Sequence, residues 1–282
     1  MMLTSMIGTI IGHTPKPATV DSLAEDFERL GVSKGMTVLV HSSLKSIGWV
    51  CGGAGAVILA LQQVLTEEGT LVMPAQSTGL SEPSRWMNPP VPEDWWKTIR
   101  QTMPPFHPDM TPATGVGLIP ETFRKFPGVI RSDHPSVSFA AWGAKARELM
   151  IPHPLAPGLG DGSPLGRIYE AGGFVLLIGV THEVNTSLHL AEYRASFQGK
   201  RNLRHGVPIM VDGHRTWHEY DDLDIHDEDF DVLGEAYELQ SNEVHIGQVG
   251  QATTRLLPQR SLVEFAVAWM TANRRIAMQG KA

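Results

Sequence analysis

The chain has 282 residues, of which 42% are hydrophobic and 19% are charged. This composition excludes an intrinsically disordered protein, because such chains lack the apolar residues that build a core. The formal net charge of −7 argues against a nucleic-acid partner, since phosphate binding needs a basic surface. We expect a single domain over residues 1–282 with an insertion at about 77–112.

The N-terminal 20 residues carry a short apolar patch at 6–11. No basic segment precedes this patch and no small-residue cleavage site follows it, so we do not expect a signal peptide. No stretch of the chain approaches the roughly 20 apolar residues of a membrane-spanning helix. The single cysteine, Cys51, excludes an internal disulfide and fits a reducing compartment. We therefore expect a cytoplasmic protein with no membrane partner.

A first helix is predicted directly after Thr19. Thr19 is a suitable N-cap, Leu23, Phe27 and Leu30 fall on one helical face, and Gly31 stands where a helix stop is needed. This pattern is typical of an amphipathic helix packed on a core.

The next elements form a predicted βαβ unit. Residues 36–41 indicate a buried strand, 42–53 a polar and glycine-rich loop, 56–65 a helix and 70–73 a second apolar strand. Two strands connected in this way are parallel, with a right-handed crossover. The sequence therefore predicts an α/β fold.

Residues 77–112 form the predicted insertion. Eight prolines interrupt regular structure there, and Trp86, Trp95 and Trp96 lie among them. A segment of this length with little regular structure is usually functional, and three exposed tryptophans would be unfavourable in water. We therefore favour an insertion that packs over a cleft.

Three helices and the strongest strand follow the insertion. The helices are predicted at 117–126, 144–150 and 163–170, and the strand at 174–180 is an almost continuous apolar run, which suits an interior position in the sheet. A further helix is expected to begin within residues 185–187, because each of these side chains is a competent N-cap.

The C-terminal third predicts a hairpin and two helices. Residues 208–211 and 216–220 are expected to pair about an Asp212-Gly213 turn. Helices are predicted at 229–241 and 261–277. An apolar stripe in the last helix indicates either core packing, the commoner case, or a homodimer contact; its members are Leu262, Phe265, Ala266 and Trp269.

Two segments place polar side chains directly after predicted strands. His41, Ser42 and Ser43 end the first strand, and residues 181–189 follow the strongest one. In open α/β sheets, ligands bind at the carboxyl ends of the strands, where helix N-termini offer unpaired N–H groups. We therefore expect a cleft bordered by both segments.

His189 is the candidate general base. It lies in the first turn of its predicted helix, and Glu192 follows three residues later on nearly the same face. The helix dipole disfavours an imidazolium there unless a carboxylate opposes it. The residues alone leave two interpretations open, a catalytic base and a structural histidine.

Metal and nucleotide motifs are weak or missing in the sequence. His182 and His189 are seven residues apart, no HExxH motif occurs and Cys51 has no partner cysteine, so we predict no metal. The glycines at 52–55 lack the spacing of a dinucleotide-binding loop, and no GxSxG nucleophile motif occurs.

An acidic run late in the chain has two interpretations. A solvated acidic face is the commoner structure for such a run, and a surface that attracts a cationic ligand is the functional alternative. The run consists of Glu219, Asp221, Asp222, Asp224, Asp227, Glu228, Asp229 and Asp231.

Five blocks of the sequence resemble the aminoglycoside 3-N-acetyltransferases, also called antibiotic N-acetyltransferases. Four short blocks are VHSSL at 40–44, TLVMP at 70–74, RSDHP at 131–135 and GSPLGR at 162–167. The fifth and most specific block is LLIGVTH at 176–182, continued by NTSLHLAE at 185–192. Together they cover roughly residues 20–230 in the family's order. The resemblance implies the family's α/β fold, with a central mixed, partly parallel sheet flanked by helices.

The resemblance also implies acetyl-CoA as donor and the 3-amino group of a 2-deoxystreptamine aminoglycoside, a cationic small molecule, as acceptor. The family's CoA site is similar to the loop at residues 41–46, with Thr186 and Ser187 near the thioester. Those loop residues are His41, Ser42, Ser43, Leu44, Lys45 and Ser46.

The family's catalytic histidine corresponds to His189, which in the family acts with carboxylates of a Glu-x-Asp block. The matching residues here are Asp222 and Asp224, so the resemblance implies that one of them holds His189, with Thr186 or Ser187 stabilising the oxyanion. With a polyamine substrate, the acidic run becomes a substrate-binding wall beneath the insertion. The expected substrate contacts are Glu192, Asp221, Asp222, Asp224, Asp227 and Trp86.

Two other functions stay open from the sequence. One is an N-acetyltransferase of the same family that acts on a different amine metabolite. The other is a binding protein that retains the fold and holds CoA or a cation without chemistry.

Overall fold

A computed structural model describes residues 2–276 of the protein. Ala277, the last residue of the predicted C-terminal helix, lies outside the described residues. The helices are α1 (Met2–His13), α2 (Val20–Leu30), α3 (Gly53–Leu65), α4 (Trp96–Thr102), α5 (Leu118–Phe123), α6 (Ala146–Met150), α7 (Pro164–Glu170), α8 (Ser187–Arg194), α9 (Phe230–Gln240) and α10 (Gln259–Asn273). The strands are β1 (Thr37–Ser42), β2 (Thr70–Pro74), β3 (Ile130–Arg131), β4 (Phe139–Gly143), β5 (Phe174–Ile178), β6 (Asn202–Val211), β7 (His214–Leu223), β8 (His245–Val249) and β9 (Ala252–Pro258).

Seven strands form one mixed sheet in the order β3-β4-β2-β1-β5-β9-β8. The predicted βαβ unit is confirmed, since β1 and β2 are parallel and α3 connects them. β5 pairs parallel with the other side of β1 and so has the interior position that its apolar sequence predicts, while β4 and β9 run antiparallel to their inner neighbours. The expected mixed, partly parallel sheet is therefore confirmed.

Helices cover both faces of this sheet. Along β1, Val38 and Val40 contribute to one hydrophobic cluster and Leu39 to the other, as the two-residue repeat of a strand requires. The first cluster includes apolar residues of α2, α3 and α5, and the second includes those of α6 to α10. Because both faces of the central strands are covered, polar functional side chains are expected at the ends of these strands.

The boundaries of α2 follow from local residues, as predicted. Thr19 and Ser22 form a reciprocal capping box at its start, and Gly31 closes it with a left-handed φ of 110°. Leu23, Phe27 and Leu30 are buried on its inner face. In α10, Leu262 and Ala266 are buried in the core, while Phe265 and Trp269 are only half-buried.

The hairpin of β6 and β7 forms a separate two-stranded sheet about the predicted turn. Asp212 and Gly213 both have positive φ, which a two-residue turn of this kind requires. Its tip contacts the insertion, because the Phe106 N–H donates to Pro208 O (3.1 Å) and Arg215 Nε donates to Met103 O (3.0 Å).

The insertion contains α4 and two short 3₁₀ turns, and it is packed only in part. Trp86 and Trp96 are half-buried, but 54% of the Trp95 surface is exposed. Our expectation that all three tryptophans are packed away is therefore wrong for Trp95, which lies between a 3₁₀ turn and α4 on the outer surface.

Arg131 ties the two ends of the insertion together. Its buried guanidinium donates to Ala75 O and to Ser77 Oγ (2.7 Å) at the start of the insertion, and to Pro108 O (3.0 Å) and Thr111 O near its end. No carboxylate of residues 2–276 forms an ion pair with Arg131. Burial, together with the nearby Arg124, lowers the pKa of Arg131 to about 10 against the opposing charges of Glu121 and Asp109. The guanidinium remains charged at neutral pH and satisfies several backbone carbonyls at once.

Replacing Arg131 with Met should lower the free energy of unfolding by about 3 kcal/mol, because the substitution leaves several buried acceptors unpaired. Urea denaturation measures this change, and limited proteolysis should show faster cleavage within residues 77–112. The exposed Arg147 provides a matched control as Arg147→Met. Equal stability of the two variants would contradict this function of Arg131.

Candidate active site

A cleft of about 580 Å³ opens at the carboxyl ends of the three parallel strands. β1 ends here at Ser42, β2 at Pro74, and β5 continues to Val180. Ligands bind at this place in open α/β sheets, where the chain leaves two neighbouring strands in opposite directions. Here the chain after β1 leads to β2 on one side, and the chain after β5 leads to β8 and β9 on the other. The cleft is lined by His41, Ser42, Ser43, Leu44, Lys45, Pro74, Gln76, Gly115, Val116, Gly117, Leu118, Val180, Glu183, Val184, Thr186, His189 and Asp227.

His189 lines this cleft from the first turn of α8. Its Nδ1 lies 2.5 Å from Glu192 Oε2, and its ring packs at a centroid distance of 4.9 Å from Phe230. When the neutral ring carries its proton on Nδ1 and donates a hydrogen bond to the carboxylate, Nε2 has the free lone pair. The imidazole therefore has one nitrogen held in the protein interior and the other left to accept a proton.

Glu192 is the buried carboxylate behind His189. Its side chain is fully buried, and Oε1 accepts from the His226 N–H (2.9 Å) and from Arg274 Nη1 (2.6 Å). With His189 on Oε2, three donors satisfy the carboxylate. An ionised group at this depth is stable only with such partners.

His41 and Thr186 form a second polar pair in the cleft wall. Thr186 Oγ1 lies 3.3 Å from His41 Nε2. Burial, together with the nearby His189 and His182, lowers the pKa of His41 to about 3. His41 is therefore neutral at physiological pH. Depending on the tautomer, its Nε2 either accepts a hydrogen bond from the Thr186 hydroxyl or donates one to the hydroxyl oxygen.

A buried polar chain fixes the start of α8. Asn185 Oδ1 accepts from the Ser187 N–H (3.2 Å), and Asn185 Nδ2 lies 3.2 Å from His182 Nδ1. His182 Nε2 in turn lies 3.0 Å from Glu238 Oε1 of α9. Gly234 permits this packing, because a Cβ there would lie 2.0 Å from the His182 ring.

Comparison with known proteins identifies the family. The family model described as aminoglycoside 3-N-acetyltransferase matches residues 39–271. The chain belongs to the aminoglycoside 3-N-acetyltransferase family. It is therefore an acetyltransferase enzyme, and the resemblance found in the sequence is confirmed.

Two curated relatives support the assignment across nearly the whole acetyltransferase. The SPbeta prophage-derived aminoglycoside N(3')-acetyltransferase-like protein YokD of Bacillus subtilis is 49% identical over 265 residues, covering 94% of this chain and 96% of the relative. Aminoglycoside N(3)-acetyltransferase VII of Streptomyces paromomycinus is 37% identical over 274 residues, covering 93% and 94%.

Three solved structures illustrate the shared fold, and two of these three hold ligands. The crystal structure of YokD from Bacillus subtilis matches with a TM-score of 0.92 at 48% identity, covering 95% of this chain and all of that one. AAC-IIIb in binary complex with CoASH matches at 0.82 and 30% identity, and AAC-VIa bound to sisomicin at 0.83 and 31%; each comparison covers 93% of this chain and 100% of the other.

Six of the eight residues expected to bind the cofactor line the cleft of the acetyltransferase: His41, Ser42, Ser43, Leu44, Lys45 and Thr186. Ser46 and Ser187 are corrections. Ser46 Oγ donates to Ser43 Oγ (3.0 Å) and Gly179 O (3.1 Å), and Ser46 borders a different surface pocket. Ser187 is fully buried, its Oγ accepts from Gln259 Nε2, and its N–H donates to Asn185.

The prediction that Asp222 or Asp224 holds His189 is wrong, because Glu192 is the carboxylate on its Nδ1. Asp222 Oδ2 accepts from the Gly158 N–H (2.8 Å) and Asp222 lines a separate cavity of about 220 Å³. Asp224 Oδ2 accepts from Arg201 Nε (2.9 Å).

The acidic run does not form one continuous wall. Asp227 lines the cleft, but Asp221 is exposed and forms an ion pair with Arg204, and Asp229 pairs with Arg274. Glu192 is corrected from a substrate contact to a buried partner of His189, since its side chain has no exposed surface. Trp86 donates from Nε1 to Ser81 Oγ (2.9 Å) within the insertion and is not among the cleft residues.

Several cleft residues were missed from the sequence. Gln76 and residues 115–118 flank the insertion, and Glu183 adjoins His182. Their positions just outside the insertion and just after β5 were the available signal. Nothing in the sequence marks Arg274, which lies 82 residues from Glu192.

Over residues 2–276, no helix has the length and apolar character required to cross a bilayer. In the same residues, no group of three or more His, Cys, Asp or Glu side chains is arranged to hold a metal ion.

Acid should destabilise the fold through its buried histidines. Burial lowers the pKa of His41 to about 3, of His134 to about 4 and of His153 to about 3, all below the unfolded value near 6.5. Between pH 6.5 and 4 the unfolded chain therefore binds more protons, and the free energy of unfolding falls as the pH falls.

Each of these histidines should contribute up to about 1.4 kcal/mol per pH unit, measured by urea denaturation from pH 7 to pH 4.5. His153→Gln should flatten this dependence by one such contribution, whereas His214→Gln, at an exposed site, should leave it unchanged. The same change in the free energy of unfolding per pH unit in wild type and His153→Gln would contradict this interpretation. Carboxylates affect the stability only at lower pH. In Glu121, for example, partial burial raises the pKa, but hydrogen bonds from Arg124 and Lys125 outweigh this effect and lower the pKa to about 2.

Proposed function

We propose that the protein transfers the acetyl group of acetyl-CoA to the 3-amino group of a 2-deoxystreptamine aminoglycoside, with His189 as general base. The observation that carries this proposal is the His189–Glu192 pair at the wall of a cleft that also contains the Ser42–Lys45 loop. A base and a donor site within one cleft are what direct acyl transfer requires.

The donor side of the cleft suits an anionic cofactor. Lys45 is exposed at the end of β1, and its ammonium has no ion pair with any described residue. Ser42 Oγ is buried in the same loop without a hydrogen-bond partner. The ammonium would attract phosphate groups of CoA, and the neighbour AAC-IIIb was solved with CoASH.

The acceptor side suits a cationic amine. Glu183 and Asp227 are exposed carboxylates that line the cleft with His189. Their negative charge would raise the local concentration of a polycation such as an aminoglycoside. The neighbour AAC-VIa was solved with sisomicin, which agrees with this substrate class.

The proposed reaction is a direct transfer. The substrate amine attacks the thioester carbonyl, and His189 Nε2 accepts the proton that the amine nitrogen loses. A C–N bond forms, the C–S bond breaks, and the proton passes from His189 to the CoA thiolate. Glu192 stabilises the transient imidazolium, as a buried carboxylate does in other His-carboxylate pairs.

Thr186 is the proposed donor to the oxyanion. Its hydroxyl lines the cleft beside a neutral His41, whereas the Ser187 side chain and N–H are engaged inside the protein. A correctly placed donor of this kind contributes about 3 kcal/mol to the transition state. Cys51 is not among the residues lining the cleft, so no acyl-enzyme is proposed.

His189→Ala should lower kcat by about 100- to 10,000-fold, because the base is lost while the CoA contacts remain. Thiol release from acetyl-CoA with a panel of aminoglycosides measures this change, and product regiochemistry identifies the acetylated amine. His218→Ala, at an exposed site on β7, is the control. Near-normal turnover by folded His189→Ala would refute the role of His189.

The panel also separates the other candidate functions. Thiol release with other amines but with no aminoglycoside would indicate a different amine substrate, and no release with any amine would indicate a binding protein.

Lys45→Ala should raise the KM for acetyl-CoA about tenfold with little change in kcat, because it removes one charge-assisted contact to the donor. Lys145→Ala is a matched control, since Lys145 is exposed and adjoins Thr70 at the opposite end of β2. An unchanged KM in Lys45→Ala would exclude a contribution of Lys45 to donor binding.

A further inference from the structure

We propose that Arg274 is a positioning residue for the transfer: it holds Glu192 as a carboxylate, and thereby keeps Nε2 of His189 free to accept a proton. This inference rests on the proposed role of His189 as the base. Arg274 touches neither the cleft nor the expected substrate site, so it acts through Glu192.

A row of alternating charges, buried at Arg274 and Glu192 and partly exposed at Asp229, connects Arg274 to His189. Arg274 Nη1 donates to Glu192 Oε1 (2.6 Å), and its Nε and Nη2 donate to the two carboxylate oxygens of Asp229. Glu192 Oε2 then accepts from His189 Nδ1. The order is therefore Asp229, Arg274, Glu192 and His189, with one cation between two anions.

Aromatic rings cover the Arg274 guanidinium, whose side chain is 3% exposed. The Arg274 guanidinium lies 5.3 Å from the ring centroid of Phe197 and 5.6 Å from that of Phe230. Phe230 also packs against the His189 ring, with a distance of 4.9 Å between the two ring centroids. In such a setting charge interactions are strong, so removal of one member has a large effect on the others.

The backbone fixes Arg274 in this place. Its N–H donates to Met270 O at the end of α10, and the Ile276 N–H donates to Gln198 O in the segment after α8. The last turn of α10 and the segment after α8 are thus joined beside Glu192. The interactions of Asp229 and Glu192 raise the pKa of Arg274 against the opposing effect of burial, so the guanidinium stays charged.

Loss of Arg274 would leave Glu192 with only His189 and the His226 N–H. The carboxylate would then either take up a proton itself or hold an imidazolium on His189 more firmly. A protonated Glu192 would donate to Nδ1 and leave the ring proton on Nε2, whereas a stabilised imidazolium has no lone pair at all. Both results remove the base at neutral pH.

Other charged and titratable groups also face this pair. On the cleft side they are His41, Lys45, Glu183 and Asp227, and on the side away from the cleft they are Tyr193, Lys200, His226 and Asp229. Substitutions at Arg274 and Asp229 change two charges of opposite sign while leaving the cleft groups in place, so an electrostatic role predicts opposite effects.

The test uses the full chain with Arg274→Met, Arg274→Lys and Asp229→Asn, and with Arg275→Met at the exposed neighbour as control. The readouts are the acidic limb of the kcat/KM profile with acetyl-CoA and an accepted aminoglycoside, and the NMR titration of the His189 ring. Arg274→Met should move both midpoints up by at least one pH unit and lower activity at pH 7 by tenfold or more.

Asp229→Asn should move both midpoints down, Arg274→Lys should restore most of the wild-type profile, and Arg275→Met should match wild type. Unchanged midpoints in folded Arg274→Met, or shifts of Arg274→Met and Asp229→Asn in the same direction, would overturn the proposal. If Arg274→Met does not fold, a wild-type midpoint in Asp229→Asn overturns it and a downward shift supports it.

The two proposals fail in different ways. If wild type transfers acetyl to no amine, the proposed function fails, while the NMR titration of His189 still tests Arg274 alone. If wild type is active and His189→Ala is not, an unchanged midpoint in the Arg274 and Asp229 variants sinks only the role of Arg274.

Discussion

The candidate site depends on one buried charge, the carboxylate of Glu192. A fully buried carboxylate must find donors within the protein, and those of Glu192 come from its own helix and from two distant parts of the chain. His189 lies on the same helix, His226 precedes α9, and Arg274 follows α10. The packing of α8, α9 and α10 on one face of the sheet is therefore tied to the protonation of a single imidazole.

The position of His189 at the start of α8 makes that carboxylate necessary. Unpaired N–H groups in the first turn of a helix disfavour an imidazolium, and Glu192 opposes this effect from the next turn. The balance leaves an imidazole that accepts a proton during the proposed reaction and gives it up again. Asn185 completes the arrangement, since its side chain caps the helix and anchors it through His182 to α9.

Local patterns predicted much of the fold, and pairing between distant segments accounts for the rest. The cap of α2, the βαβ unit, the apolar β5 and the Asp212-Gly213 turn were all visible in short stretches of sequence. The strands β3, β4, β8 and β9 were not predicted. β3 has two residues, β4 is rich in small residues, and β8 and β9 alternate polar with apolar residues too weakly to stand out.

The site was predicted in the same uneven way. His189 and the Ser42–Lys45 loop were marked by their places after strands, and the three-residue helical spacing of His189 and Glu192 indicated their pairing. The choice of Asp222 or Asp224 from the acidic run was wrong. Consecutive residues of a strand point to opposite faces, so Asp221 faces Arg204 while Asp222 reaches Gly158. Beyond β7 the chain turns, and Asp227 and Asp229 contact two different pockets.

The cleft wall and the segments outside it are attached to the protein in different ways. The Ser42–Lys45 loop follows β1 and His189 follows β5, and both strands are covered on both faces of the central sheet. The insertion and the β6–β7 hairpin are instead joined to each other and to the sheet largely by arginine side chains on backbone carbonyls, at Arg131 and Arg215. Carbonyl acceptors exist whatever the side chain, so this attachment constrains the neighbouring sequence little. Substitutions at other positions of the insertion and of the hairpin tip would therefore leave these attachments in place.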